Sequence, residues 1–162
     1  MRIGVISDTH DNLPAIERAV AFFNKQKISF VFHAGDYVAP FAAVRLGSLS
    51  CDWRGIFGNN DGEKDGLIRI SGSRIVEGVL RVEIGGRRIS VVHDLQSLDT
   101  ENEKAQIIVC GHTHKPELLS RKGRMVVNPG EACGWLSGVS TVAIVDLEAM
   151  TAKIHTLERL KR

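Results

Sequence analysis

Six short runs of β-forming residues punctuate this chain, and several are apolar almost from end to end. They are RIGVI from Arg2, SFVFH from Ser29, WRGIF from Trp53, RISVV from Arg88, QIIVC from Gln106 and TVAIV from Thr141. A strand with one face in water alternates apolar and polar residues, so continuous runs predict strands covered on both faces. Between the first two runs, LPAIERAVAFFNKQK sets Ile16, Ala19, Val20 and Phe23 at helical spacing. Pro14 suits a first turn, with Asn12 or Leu13 as the cap. Later segments read as hairpins: GVLRVEIGGRRISVV turns at Gly85-Gly86, ELLSRKGRMVVNPG at Lys122-Gly123, and TVAIVDLEAMTAKIHTL around Leu147 to Met150. βα alternation followed by hairpins predicts an α/β (α+β) fold with two packed sheets and helices outside, rather than a fully parallel one.

Composition narrows the function classes. The 162 residues carry no linker, repeat or low-complexity stretch and are read as one domain, 1–162, able to bury roughly 70% of its unfolded surface. An apolar fraction of 43% and a charged fraction of 25% are those of a soluble globular protein. No apolar run approaches the ~20 residues that cross a membrane. A net charge of +2, with small basic clusters at Arg87-Arg88 and Arg159 to Arg162, is too weak to argue for nucleic acid. Cys51, Cys110 and Cys133 are odd in number and show no CxxC spacing, which suits buried hydrophobes in a reducing compartment. Polar residues follow Met1 too soon for a secretory leader, so a cytoplasmic protein is expected.

The chemistry stands at the strand ends, where α/β proteins place their sites. The first strand runs into Asp8-Thr9-His10, the second into Gly35-Asp36, the third into Gly58-Asn59-Asn60-Asp61, and QIIVC into Gly111-His112-Thr113-His114. His93 follows ISVV. In extended chain, residues two apart point to one side, so Asp8 with His10 and His112 with His114 are expected to form paired prongs. The glycines before Asp36, Asn59 and His112 permit sharp turns and close approach to a ligand. Two carboxylates, four imidazoles and an amide oxygen exceed the needs of one first-row ion and suit two ions that share a carboxylate. Any one of these motifs alone means little, and Asp36 by itself could merely cap a helix beginning near Ala39-Pro40. Four of the six histidines falling at strand ends in this company is a different matter. His33 and His155 lie in strands and are assigned to core or surface.

The ordered set Asp8-x-His10, Gly35-Asp36, Gly58-Asn59-x-Asp61, His93 and Gly111-His112-x-His114 resembles the signature of the calcineurin-like metallophosphoesterases. Small single-domain phosphodiesterases are the nearest type, especially archaeal members carrying GNND and an NPGExCG stretch, here Asn128 to Gly134. The resemblance implies a four-layer sandwich of two mixed β-sheets flanked by helices. It also implies one ion held by Asp8, His10 and His114, a second held by Asn59, His93 and His112, and Asp36 bridging them. Two divalent transition-metal ions are expected, Mn²⁺ first, with Ni²⁺, Fe²⁺ or Zn²⁺ as alternatives. The implied activity is hydrolysis of a small phosphate ester by a hydroxide that the ion pair activates. A non-catalytic scaffold for protein partners, a nuclease and a phosphomonoesterase are the competing readings, and family habit makes a homodimer plausible.

Three departures bear on catalysis. Asn60 stands where most relatives carry a histidine that protonates the leaving group or grips the phosphate. An amide donates a hydrogen bond but supplies no proton, so slow turnover is expected, best with leaving groups that need none. Asp61 is expected to orient a ligand or Asn60. Asp94 follows His93 where many relatives have glycine, and Leu95 to Lys104 is short for a full helix. Glu131 replaces the serine of the common NPGS, either turning the chain or placing negative charge near the site.

Overall fold

The computed structural model describes residues 1–121 and 123–157; Lys122 and the basic run Arg159 to Arg162 lie outside them. A six-stranded sheet and a five-stranded sheet face one another. The first contains β1 (Arg2–Ile6), β2 (Phe30–His33), β3 (Asp52–Ile56), β4 (Ile75–Val76), β10 (Thr141–Asp146) and β11 (Thr151–Thr156), in the order β11-β10-β1-β2-β3-β4. The second holds β5 (Leu80–Ile84), β6 (Arg87–Val91), β7 (Ile107–Val109), β8 (Pro116–Arg121) and β9 (Arg124–Pro129), in the order β5-β6-β7-β9-β8. Strands β1 to β4 run parallel and β10 and β11 antiparallel. Parallel β6, β7 and β9 are edged by antiparallel β5 and β8. Both sheets are therefore mixed; the hairpins at Gly85-Gly86 and around Leu147 to Met150 form as expected, and β8 and β9 pair antiparallel, the Lys122 of the third expected turn lying outside the described residues.

The core between the sheets explains the continuous apolar runs. Ile3, Val5, Phe32, Ile56, Val91, Ile107, Val109, Val127, Ala143 and Val145 pack into one buried cluster that joins the inner faces. On the outer face of the first sheet lie α1 (Leu13–Lys25), α2 (Pro40–Ala43) and α3 (Lys64–Ser71). Asn12 caps α1 by accepting from Ala15 N, and its stripe of Ile16, Ala19, Val20 and Phe23 is buried. The cover of the second sheet is thin. Leu95 and Leu98, around a 3-10 turn at Leu95–Ser97, pack on Val92, Ile108 and Cys110.

Residues 62–78, to which the sequence pattern assigns no element, form α3 and β4. The signal is weak because Gly66, a poor helix former, lies inside α3, Ile68 and Ile70 are exposed, and β4 has only two residues. Asp36 caps no helix: the residue before α2 is Ala39, which makes no side-chain cap. Cys110 and Cys133 are buried and Cys51 is half-buried, all as free thiols. No helix among the described residues is long and apolar enough to cross a membrane.

Register sets up the site. Ile6 pairs with His33 and His33 with Gly55, so the segments beginning at Ser7, Ala34 and Phe57 leave the first sheet at one edge. In the second sheet Val91 pairs with Val109 and Val109 with Val127, and the segments beginning at Val92, Cys110 and Gly130 leave at one edge as well. The two edges are stitched together: Ala132 N donates to Ser7 O at 2.9 Å and Cys133 N to Asp8 O at 3.1 Å.

Candidate metal centre

All seven candidate ligands meet where these edges converge, in two half-sites. In the first, His114 Nε2 lies 3.5 Å from Asp8 Oδ1 and 3.3 Å from His10 Nε2. His10 Nε2 is 3.5 Å from Asp36 Oδ2. One ligand atom from each of Asp8, His10, Asp36 and His114 falls within 4.8 Å of all the others. In the second, Asn59 Oδ1 is 2.9 Å from both His93 Nε2 and His112 Nδ1. His93 Nε2 is also 3.5 Å from Asp36 Oδ1. The two oxygens of Asp36 thus face different half-sites.

The prongs are not extended chain. Asp8, His10, Asp36, His112 and His114 have φ of 53°, 39°, 63°, 69° and 61°. Non-glycine residues adopt this left-handed conformation at a cost of about 1 kcal/mol or more each, and keep it only where their surroundings over-determine it. Strand alternation does not apply to such residues, so His112 and His114 diverge, one into each half-site. The glycines also act differently from one another. Gly35 takes φ of 96°, whereas Gly58 and Gly111 are needed for space. A Cβ on Gly58 would stand 2.1 Å from Asp36 Oδ1, and one on Gly111 1.9 Å from Ser7 Oγ.

The donor set fits cations. Asp8 Oδ1 is buried and has no hydrogen-bond partner, although Asp8 Oδ2 accepts from Ser7 Oγ and His112 N. His93 Nδ1 sits 2.7 Å from the Ala34 carbonyl, so it carries the proton and Nε2 presents a lone pair to Asn59 and Asp36. Lone pairs that converge without a proton between them call for positive charge. The electrostatics agree. Burial pushes the Asp8 carboxyl up despite the Ser7 bond. Burial acts the same way on Asp36, but the neighbouring His93 imidazole and the hydrogen bonds from Asn60 outweigh it and hold that carboxyl far below the usual range. Burial pushes the His93 imidazole down, and Asp36 more than reverses this, so the site favours a positive charge there.

Asn60 and Asp61 both act on Asp36. Asn60 donates through N to Asp36 Oδ1 at 2.9 Å and through Nδ2 to Oδ2 at 2.7 Å. Asp61 accepts from Asp36 N at 3.0 Å, Val38 N at 2.7 Å and Gly58 N at 2.7 Å, clamping two of the loops together. Glu131 does place charge at the site: its Oε2 accepts from His114 Nδ1 at 3.0 Å and from the Cys133 thiol at 3.1 Å. Burial and the neighbouring Glu131 push that thiol up to about 12, against a bond from the backbone, so it stays protonated and this trio is a hydrogen-bonded support. His33 is fully buried and shares Thr9 Oγ1 at 3.2 Å, while His155 packs 5.1 Å from the Phe22 ring.

Sequence reasoning passed over Ser7 and Thr9, which carry no spacing signal. It also passed over Asn128, whose Nδ2 donates to Gly111 O and Thr113 Oγ1 and so braces the GHTH turn. The NPG context marks Asn128 as a turn residue and conceals this.

A two-sheet α/β sandwich carrying a histidine–carboxylate cluster at its strand ends defines a class of phosphoester-processing proteins. The chain belongs to the calcineurin-like phosphoesterase superfamily, whose domain pattern matches residues 1–150. A phosphodiesterase of Methanocaldococcus jannaschii is 33% identical over 166 residues, covering 98% of this chain and all of that protein. A solved structure described as a novel archaeal phosphodiesterase superposes with a TM-score of 0.89 at 33% identity, over 97% of this chain and 100% of the other. A phosphoesterase from E. coli shares the fold, with a TM-score of 0.75 at 20% identity over 98% of this chain and 100% of that one.

Proposed function

We propose that the protein is a metal-dependent phosphodiesterase that hydrolyses a small phosphate ester. One observation carries the reading: a buried Asp8 oxygen without a partner faces His10 and His114, beside an Asp36 carboxylate split between two half-sites. Asp8, His10 and His114 would hold one divalent ion and Asn59, His93 and His112 the other, with Asp36 shared. Such a pair supplies an activated water and a positive field on the phosphoryl oxygens. Mn²⁺ is the first choice for this N/O set, then Ni²⁺, Fe²⁺ and Zn²⁺.

The chain's own residues orient and polarise. Ala34 O fixes the His93 tautomer and Glu131 fixes that of His114, so each ring offers Nε2 to the site. Asp61 holds the backbone of Asp36 in its left-handed conformation. Asn60, exposed at the rim, can hydrogen-bond a phosphoryl or leaving-group oxygen but transfers no proton, so activated esters are the better substrates. Three free cysteines agree with a reducing, cytoplasmic setting.

Metal-stripped protein reloaded with Mn²⁺, Ni²⁺, Zn²⁺ or Mg²⁺ should hydrolyse bis(p-nitrophenyl) phosphate faster than p-nitrophenyl phosphate, with a pair of ions bound per chain. Inertness toward both esters with every ion, together with a chain that retains no ion, would refute the proposal.

A further inference from the structure

The stretch after Glu131 does more than support His114. Trp135 and Leu136 are 64% and 78% exposed, whereas Trp53, the other tryptophan, is buried at 5%. Yet Trp135 is not loose. Its Nε1 donates to the His10 carbonyl at 3.2 Å, which ties the polar end of the indole to the backbone of a half-site residue. The same loop is anchored by Glu131, which accepts from Leu136 N at 3.0 Å and from Ser137 N. Because Glu131 also holds His114 Nδ1, one carboxylate fixes both the loop and an imidazole of the first half-site. His10 and His114 are themselves stacked, with ring centroids 5.0 Å apart.

The two flanks of the site differ in chemistry. Beside His112 lies Asp94, with Oδ2 4.0 Å from His112 Nε2, a negative group that disfavours an anionic or apolar extension of the substrate there. Beside His10 lies an indole whose N–H is already committed, leaving apolar ring to meet a ligand. A rigid aromatic surface held before binding loses little freedom on contact, and base–aromatic stacking is indifferent to sequence because every base has a π-face.

We propose that Trp135, backed by Leu136, is a substrate platform that stacks a planar aromatic group carried by the phosphate ester, a nucleobase or an aryl ring. This rests on the phosphodiesterase reading above and names its substrate class. Trp53 is buried, so quenching of the exposed tryptophan signal reports on Trp135.

The test is fluorescence titration of the Mn²⁺-loaded chain with adenosine 5′-monophosphate, phenyl phosphate and ribose 5-phosphate. An aromatic ligand should quench and bind about tenfold tighter than ribose 5-phosphate. Trp135→Ala should erase that preference and Trp135→Phe should retain part of it, both read by calorimetric titration because neither variant keeps the reporter indole, and the phenylalanine variant keeps the test valid should the alanine variant fold poorly. Tighter binding of the adenosine ligand assigns the platform to a base, and tighter binding of phenyl phosphate assigns it to an aryl ester. Equal affinity for all three ligands in a chain that still hydrolyses the diester overturns the platform alone. So does a Trp135→Ala variant that keeps the preference but sediments as a smaller species, which would make the patch a contact between copies. Failure of all three to bind, with no hydrolysis, overturns the phosphodiesterase reading too.

Discussion

Replacing Asp61 tests whether the centre is held by buried backbone donors, as the geometry indicates. The side chain is 4% exposed and accepts three N–H groups: Asp36 and Gly58 on Oδ2, Val38 on Oδ1. Asparagine is nearly isosteric. Turned with its oxygen toward Asp36 and Gly58, it keeps two bonds and sets its amide against the Val38 N–H, leaving one donor unsatisfied at about 1–3 kcal/mol. Burial already pushes the Asp61 carboxyl up, and asparagine escapes the cost of burying that charge, so the lower end, about 1 kcal/mol, is expected for Asp61→Asn. Alanine abandons all three donors and leaves a small cavity; with partial rescue by water the loss should be about 4 kcal/mol, a large part of the roughly 5–15 kcal/mol that keeps a domain folded. The assay is urea unfolding of chelator-treated protein at pH 7, followed by far-UV circular dichroism. Two results would refute the donor count: equal losses for the two variants, or an alanine variant within about 1 kcal/mol of the parent. The alanine variant should also bind Mn²⁺ more weakly, because Asp36 N is one of the freed donors.

Two further expectations follow from other buried groups. His33 is fully buried and burial holds its imidazole down to about 3, against 6.5 when unfolded; Gly35 N donates to its Nδ1, so the neutral ring is the one that fits. The unfolded chain therefore takes up a proton below pH 6.5 that the folded chain refuses. Stability should fall by up to about 1.4 kcal/mol per pH unit as pH drops through that window. His33→Gln should flatten the profile measured by urea midpoints, and a parent profile already flat between those values would contradict it. Asn60→His should speed hydrolysis of esters with poor leaving groups by about 10²-fold or more, the usual worth of a general acid. Unchanged or slower rates would remove position 60 from leaving-group chemistry.

Local rules carried far into this fold, and where they stopped is instructive. The α1 stripe, the hairpin at Gly85-Gly86 and the doubly covered strands are properties of a few consecutive residues, and periodicity displays them directly. Helix α3 and strand β4 escaped because one carries the poor helix former Gly66 within its eight residues and the other is too short to have a period. At the site, the residue types and their order were legible, including Asp61 in a supporting place. Their conformations were not: the prongs expected in extended chain are left-handed residues, and although Asp8 and His10 stay in one half-site, His112 and His114 part into two. Glu131 was legible as an oddity but not as the anchor of His114 and Leu136.

The amino-acid sequence by itself determined which groups stand at the ends of which strands, because a strand and the turn that follows it are written in adjacent residues. Only the tertiary structure decided that Asp36 would offer one oxygen to each half-site and that Asp8 would keep a buried oxygen without a partner. Those outcomes depend on strand register, on two sheets brought edge to edge, and on hydrogen bonds between residues such as His112 and Asp8 that lie 104 positions apart. Contacts over such distances leave no periodic trace in a single chain.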